Sequence, residues 1–139
     1  MTNVRVLIKK ISEVEKYFQM VKKYRKYKPE EIIKNDERYG ALQRYLYLLC
    51  QSTIDLAEAV ISYYSFRVPG NYGEIFQIFQ ENNLIDRNLS EKMIKMTGFR
   101  NLLAHVYGEI DFEKLYQVLV KDIDDINKFL DIIKNKIKL

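Results

Sequence analysis

Residues 111–137, DFEKLYQVLVKDIDDINKFLDIIKNKI, hold Leu115, Leu119, Ile123, Ile126, Leu130, Ile133 and Ile137 at steps of three and four. That period puts all seven on one side of an α-helix, in a seam almost as strict as that of a coiled coil. Asp111 stands where an N-cap belongs, and Ile110 with Leu115 has the spacing of a hydrophobic staple.

The same period recurs upstream. A first helix is predicted from about Asn3 to Tyr27, with Val4, Leu7, Ile11, Val14, Phe18 and Val21 on its apolar side. Pro29 restarts the chain, with Glu30 and Glu31 suited to a first turn. Asp36 is the expected cap of a long second helix to about Tyr64, striped by Leu42, Tyr45, Leu46, Leu49, Leu56 and Val60. Val68-Pro69-Gly70-Asn71 is the strongest turn signal. A short helix from about Gly73 to Glu81 follows, with Ile75, Phe76 and Phe79 inward, and Asn82-Asn83 ends it. Ser90 is the expected cap of the next helix, stapled by Leu89 and Ile94. No stretch alternates as a strand does. The expected fold is an all-α up-and-down bundle of four to five helices, one domain over residues 1–139.

Composition narrows the function. A net charge of +4 and a pI near 9.0 permit a polyanionic partner without requiring one. A single cysteine, Cys50, excludes an intrachain disulfide and suits a cytoplasmic location. No apolar run is long enough for a membrane span or a signal peptide. One histidine and one cysteine, in different segments, are too few for a zinc centre, and no glycine-rich phosphate loop is present. No metal and no cofactor are expected.

The chemistry-bearing stretch is Gly98-Phe99-Arg100-Asn101-Leu102-Leu103-Ala104-His105-Val106-Tyr107-Gly108. Phe99, Leu102, Leu103 and Val106 read as a buried stripe, with Arg100, Asn101, His105 and Tyr107 off it. Asn101 and His105, four apart, share a face and can hydrogen-bond. Gly98 marks a kink or the close approach of another backbone, and Gly108 fits a helix end. Taken singly, His105 reads as a structural histidine, Arg100 as a surface ion-pair partner and Tyr107 as a packing residue. Together they suit RNA cleavage. RNA brings its own nucleophile, the 2′-hydroxyl. An imidazole can take or give the proton, and a guanidinium grips phosphate. Arg100 and His105 point in rather different directions on one helix, and one chain has one histidine. A symmetric homodimer, with two copies of the motif across one cleft, answers both difficulties.

The run Arg100-Asn101-Leu102-Leu103-Ala104-His105 resembles the ribonuclease motif of the HEPN superfamily, and Tyr107 matches the tyrosine of its HepT branch. Ile54-Asp55-Leu56-Ala57 and Val68-Pro69-Gly70-Asn71-Tyr72 extend the resemblance, which covers about Arg38 to Ile133. It departs at Gln51, where many relatives carry an acid one turn before the Ile-Asp pair. The resemblance implies the toxin of a type VII HepT–MntA toxin–antitoxin system. Such a toxin is a homodimeric, metal-independent endoribonuclease acting on transfer or messenger RNA. Arg100 and His105 are then catalytic, and Asn101 and Asp55 supporting. The implied antitoxin is an MntA-like minimal nucleotidyltransferase, which silences the toxin by transferring AMP from ATP onto Tyr107.

Two readings stay open beside this. The tract Lys22, Lys23, Arg25 and Lys26, interleaved with tyrosines, either tracks RNA or is a solvated helix end. Asp55 is either structurally paired or part of a polar cleft. The competing function is a non-catalytic helical module that docks a nucleotidyltransferase, with the motif as acceptor site.

Overall fold

The computed structural model describes residues 2–105 and 110–138. The helices are α1 (Val4–Lys22), α2 (Pro29–Ile33), α3 (Asp36–Tyr63), α4 (Tyr72–Glu81), α5 (Arg87–His105), α6 (Phe112–Gln117) and α7 (Ile123–Lys136). A 3₁₀ turn, Lys23–Lys26, follows α1, and a π-helical turn, Val118–Asp122, joins α6 to α7. No strand occurs among the described residues. The bundle is all-α, as the periodicity requires.

Helix α3 is the axis, flanked by α1, α4 and α5. It buries residues on most of its circumference, including Leu42, Leu46, Leu49, Cys50, Ile54, Leu56, Ala57 and Val60. The α1 seam Leu7, Ile11, Val14, Phe18 and Val21 is fully engaged. Phe76 and Phe79 of α4 meet Phe129 of α7 at ring separations of 5.5 and 5.2 Å. Each such buried ring contributes about 1.5–3 kcal/mol of transfer free energy. Phe129 is fully buried although the seam read from sequence omits it.

The caps correct two expectations. Asn35, not Asp36, caps α3: its side chain accepts from the Arg38 amide at 3.0 Å, and Asp36 is the first helical residue. Asp36 there still favours the positive end of the helix dipole. Helix α5 begins before Ser90. Asp86 accepts from the Leu89 amide at 2.8 Å. Ser90 lies buried inside the helix, where its hydroxyl donates to the Phe76 carbonyl at 3.1 Å. The staple of Leu89 and Ile94 falls with that cap. Asn71 caps α4 and Asp111 caps α6, accepting from the Glu74 and Glu113 amides at 2.9 and 3.0 Å.

The π turn explains the last seam. Leu115, Leu119 and Ile123 are spaced four and four, slightly more than two α turns. One widened turn takes up the excess and keeps all three buried. Arg25 fastens it: its Nε donates to the Leu119 carbonyl at 2.8 Å and its Nη2 to Asp124 at 2.9 Å.

Candidate active site

Arg100 lies on the inner flank of α5, half-buried against α3. Its Nε donates to Gln51 Oε1 at 2.7 Å. The Gln51 amide in turn donates from Nε2 to Asp55 Oδ1 at 2.8 Å. Nη1 reaches Asn101 Oδ1 at 3.1 Å, and Nη2 lies 3.4 Å from the Tyr47 hydroxyl. The guanidinium also faces two rings, 5.3 Å from the Tyr47 centroid and 5.1 Å from that of Tyr72. A cation against aromatic faces is held without being neutralised. Of the five N–H groups of a guanidinium, three are directed at described partners. Two have no partner among the described residues, the number a bidentate grip on phosphate needs.

Asp55 is thus paired with Gln51 one turn before it on α3, and through Gln51 it is linked to Arg100. Asn101 serves Arg100 and not His105; among the described residues no Asn101–His105 hydrogen bond forms. His105 is exposed at the last position of α5. On an α-helix it stands about 140° round from Arg100 and about 7.5 Å along the axis. Tyr107 and Val106 lie outside the described residues.

The apolar stripe drawn through the motif is only partly inward. Phe99 is buried and Leu103 half-buried, but Leu102 is 42% exposed. Gly98 meets no neighbour: a Cβ there finds nothing within 4 Å. Among the described residues no backbone crosses it, and the helix runs on unbroken to His105. Gly98, Asn101, Leu102 and His105 thus form one open face of α5.

The basic tract sits elsewhere. Tyr24, within it, packs on Tyr45 of α3 at 6.2 Å, whereas Arg100 packs on Tyr47. Those two positions lie about 200° apart round α3. Arg25 is engaged with Leu119 and Asp124, a tie that departs from the RNA-tracking reading; Lys22, Lys23 and Lys26 are exposed.

Cys50, also on α3, is fully buried, and burial pushes its thiol up to about 12, so it is no nucleophile at neutral pH. Among the described residues no cluster of His, Cys, Asp and Glu can hold a metal ion. No described helix is long and apolar enough to cross a membrane.

Tyr47, Gln51 and Tyr72 complete the site. With Asp55 they bring α3 and the first residue of α4 to the arginine of α5. A family described as ribonuclease HepT-like matches residues 9–133 of this chain. The chain belongs to the HepT-like ribonuclease family. The mRNA nuclease HepT of Shewanella oneidensis is 31% identical over 85 residues, covering 61% of this chain and 64% of that protein. The match thus spans somewhat less than two thirds of that HepT relative. The tRNA nuclease HepT of Aphanizomenon flos-aquae is 22% identical over 121 residues, 86% of this chain and 82% of that one. Among solved structures, a tri-AMPylated Shewanella oneidensis HEPN toxin in complex with MNT antitoxin superposes with a TM-score of 0.85. It shares 23% identity and covers 93% of this chain and 96% of its own, which establishes the HEPN-type fold.

Proposed function

We propose that this protein is a metal-independent endoribonuclease, the toxin of a HepT–MntA pair, with Arg100 and His105 as its catalytic groups. The observation that carries the reading is the state of Arg100. It is oriented by an amide and two aromatic faces and keeps two donors for an anion, one helical stretch from the chain's single histidine. Its family membership and the nuclease relatives support the same reaction class.

The 2′-hydroxyl of RNA attacks the adjacent phosphorus as an imidazole takes its proton. The P–O5′ bond breaks, and the departing oxygen receives a proton. The products are a 2′,3′-cyclic phosphate and a 5′-hydroxyl. Arg100 holds the non-bridging oxygens as charge builds on them. Two proton transfers on opposite sides of one phosphorus call for two imidazoles. A homodimer built on the open face of Gly98, Asn101, Leu102 and His105 supplies the second. Asn101 and Asp55 support the site through Arg100.

Control comes from a nucleotidyltransferase. Relatives described with an MNT or MntA antitoxin, one of them tri-AMPylated, support a partner of that class here. Its reaction joins the Tyr107 oxygen to the α-phosphate of ATP and releases pyrophosphate. An AMP group adds bulk and negative charge beside the motif, where RNA phosphate binds.

The deciding experiment incubates purified protein with total transfer RNA and messenger RNA in EDTA. Cleavage that leaves cyclic-phosphate ends, absent in Arg100→Ala and His105→Ala proteins of unchanged circular dichroism, is expected. Intact RNA with wild-type protein, alongside AMP transfer onto Tyr107 by the partner, would establish the non-catalytic docking module instead.

A further inference from the structure

Helix α3 carries a polar stripe that the catalytic reading uses only in part. Arg44, Tyr47, Gln51, Asp55 and Glu58 follow at steps of three, four, four and three, so they share one face. Arg100 meets this stripe in its middle, at Tyr47 and Gln51. Arg44 lies at one end, its guanidinium 5.3 Å from the Tyr47 ring centroid. Arg100 lies 5.3 Å from the same centroid. The two cations are therefore within about 11 Å of each other, on the scale of the Debye length of about 8–10 Å at moderate salt. Tyr72 continues the row beyond Arg100.

The charges round Arg44 are as informative as its position. Arg25, Arg67 and Arg87 are each paired with carboxylates. Among the described residues Arg5, Arg38, Arg44 and Arg100 are in no such pair; of these only Arg44 and Arg100 face the same ring, and Arg44 is exposed. Two unneutralised cations sharing one ring repel each other, and an anion lying over both removes that repulsion. The other end of the stripe is negative, with Asp55 and Glu58 one turn apart.

We propose that Arg44 is a second phosphate contact, so that a single-stranded RNA runs along α3 from Arg100 toward Arg44 and away from Asp55 and Glu58. The proposal takes the polyanion to be RNA from the ribonuclease reading above; the path itself rests on the stripe. It moves the substrate track away from the tract Lys22–Lys26, which packs on the opposite flank of α3. The Tyr47 ring between the arginines, and Tyr72 beyond Arg100, offer faces on which an unpaired base can stack.

The test uses the His105→Ala protein, which leaves RNA intact, and a short fluorescein-labelled oligouridine read by polarisation. Reversing the charge in Arg44→Glu is expected to weaken binding by at least about tenfold, and to lower the slope of log affinity against log salt by about one. Arg44→Gln, gentler on folding, is expected to lower the slope equally, and Arg44→Lys to keep it. Arg87→Glu, at the far end of α5, should change affinity by less than about twofold. Arg44 variants that bind like the parent would overturn the path, as would an equal loss at Arg87 or no binding by the parent. Cleavage by wild-type protein is scored separately. Cleavage with no effect at Arg44 removes the path and leaves the nuclease. Binding that depends on Arg44 without cleavage does the reverse.

Discussion

Arg100 Nε and Gln51 Oε1 lie 2.7 Å apart, and the chemistry on either side of the glutamine fixes which way its amide faces. A guanidinium can only donate and a carboxylate only accept. Between Arg100 and Asp55 the amide therefore has one satisfied orientation, oxygen to the arginine and nitrogen to the acid. Gln51→Met removes both bonds at nearly constant volume. A hydrogen bond to a charged group contributes about 1.5–3 kcal/mol. RNA affinity and kcat/KM should fall about tenfold or more, and the melting temperature should drop by several degrees with the two lost bonds. Gln51→Glu should also weaken RNA binding, because a carboxylate competes with phosphate for Arg100. Steady-state kinetics across salt concentrations check both. Wild-type constants in Gln51→Met would remove Gln51 from the site.

Leu102 is 42% exposed on a face that also presents Gly98, Asn101 and His105. Leu102→Asp removes a side chain that is 42% exposed and puts an acid in the last turn of α5, so the monomer should lose only about 1 kcal/mol. At the dimer face the same change buries unpaired charge, which costs several kcal/mol. Sedimentation at micromolar concentration should shift to monomer, with loss of cleavage. An unchanged dimer would show that the subunits meet elsewhere.

The start of α5 separates two serviceable caps. Asp86→Ala should destabilise by about 1 kcal/mol through the lost bond to the Leu89 amide. Ser90→Ala should cost about 0.5–1.5 kcal/mol for another reason, the lost tie to the Phe76 carbonyl. The double mutant should depart from simple addition, since the two residues are one turn apart and the Ser90 amide donates to the Asp86 carbonyl at 3.0 Å. Urea denaturation reads all three.

Cys50 gives a pH signature. Its thiol titrates near 9.0 when solvated and at about 12 in the folded chain. Between those values the unfolded chain has released the proton and the folded chain keeps it. Stability is therefore fully present below the lower value and declines as pH rises, at about 1.4 kcal/mol per pH unit. Tyr24, Tyr39 and Tyr64, also raised by burial, act in the same direction. Cys50→Ala leaves those unchanged and is less stable at pH 8, but should lose less on going to pH 11. A thiol reagent should label Cys50 only under unfolding conditions. Parallel stability curves for the two proteins would refute the assignment.

Tyr107→Phe keeps the ring and removes the acceptor oxygen. The variant should fold, retain ribonuclease activity and resist neutralisation by a nucleotidyltransferase partner. Intact mass spectrometry after incubation with partner, ATP and magnesium should show AMP additions on wild type and none on the variant. The transfer depends on the partner for its base and metal. Additions mapped to another residue of Tyr107→Phe would identify a different acceptor.

Helices were legible in the sequence because burial on one side leaves a period, and the seams of α1, α3 and the last helix all engage the core. Caps were less legible where two suitable residues stand close together. Asn35 beside Asp36 and Asp86 near Ser90 differ by register, which the fold decides. Leu102 broke the periodic rule because the face it occupies is open in the protomer. Of the site, the arginine and histidine stood out as a local pattern. Tyr47, Gln51 and Tyr72 did not, since 49 and 53 residues separate Arg100 from Gln51 and Tyr47, and only folding joins them. The α3 stripe itself was present in the spacing, masked by the stronger apolar signal on the same helix.

The π turn at Val118–Asp122 makes the last helix a problem of phase. An inserted residue rotates everything before it by about 100° relative to everything after it. The offset sets the azimuth at which α6 leaves Asp111. Deleting one residue from Val118–Asp122 would restore an unbroken α-helix and keep its composition nearly intact. Seven residues would then separate Leu115 from Ile123, about 20° short of two full turns, so Leu115 would keep its place in the core. The turn is thus the one place where this helix can lose a residue and keep its seam in phase, whereas a deletion in α6 or α7 would rotate part of the seam by about 100°.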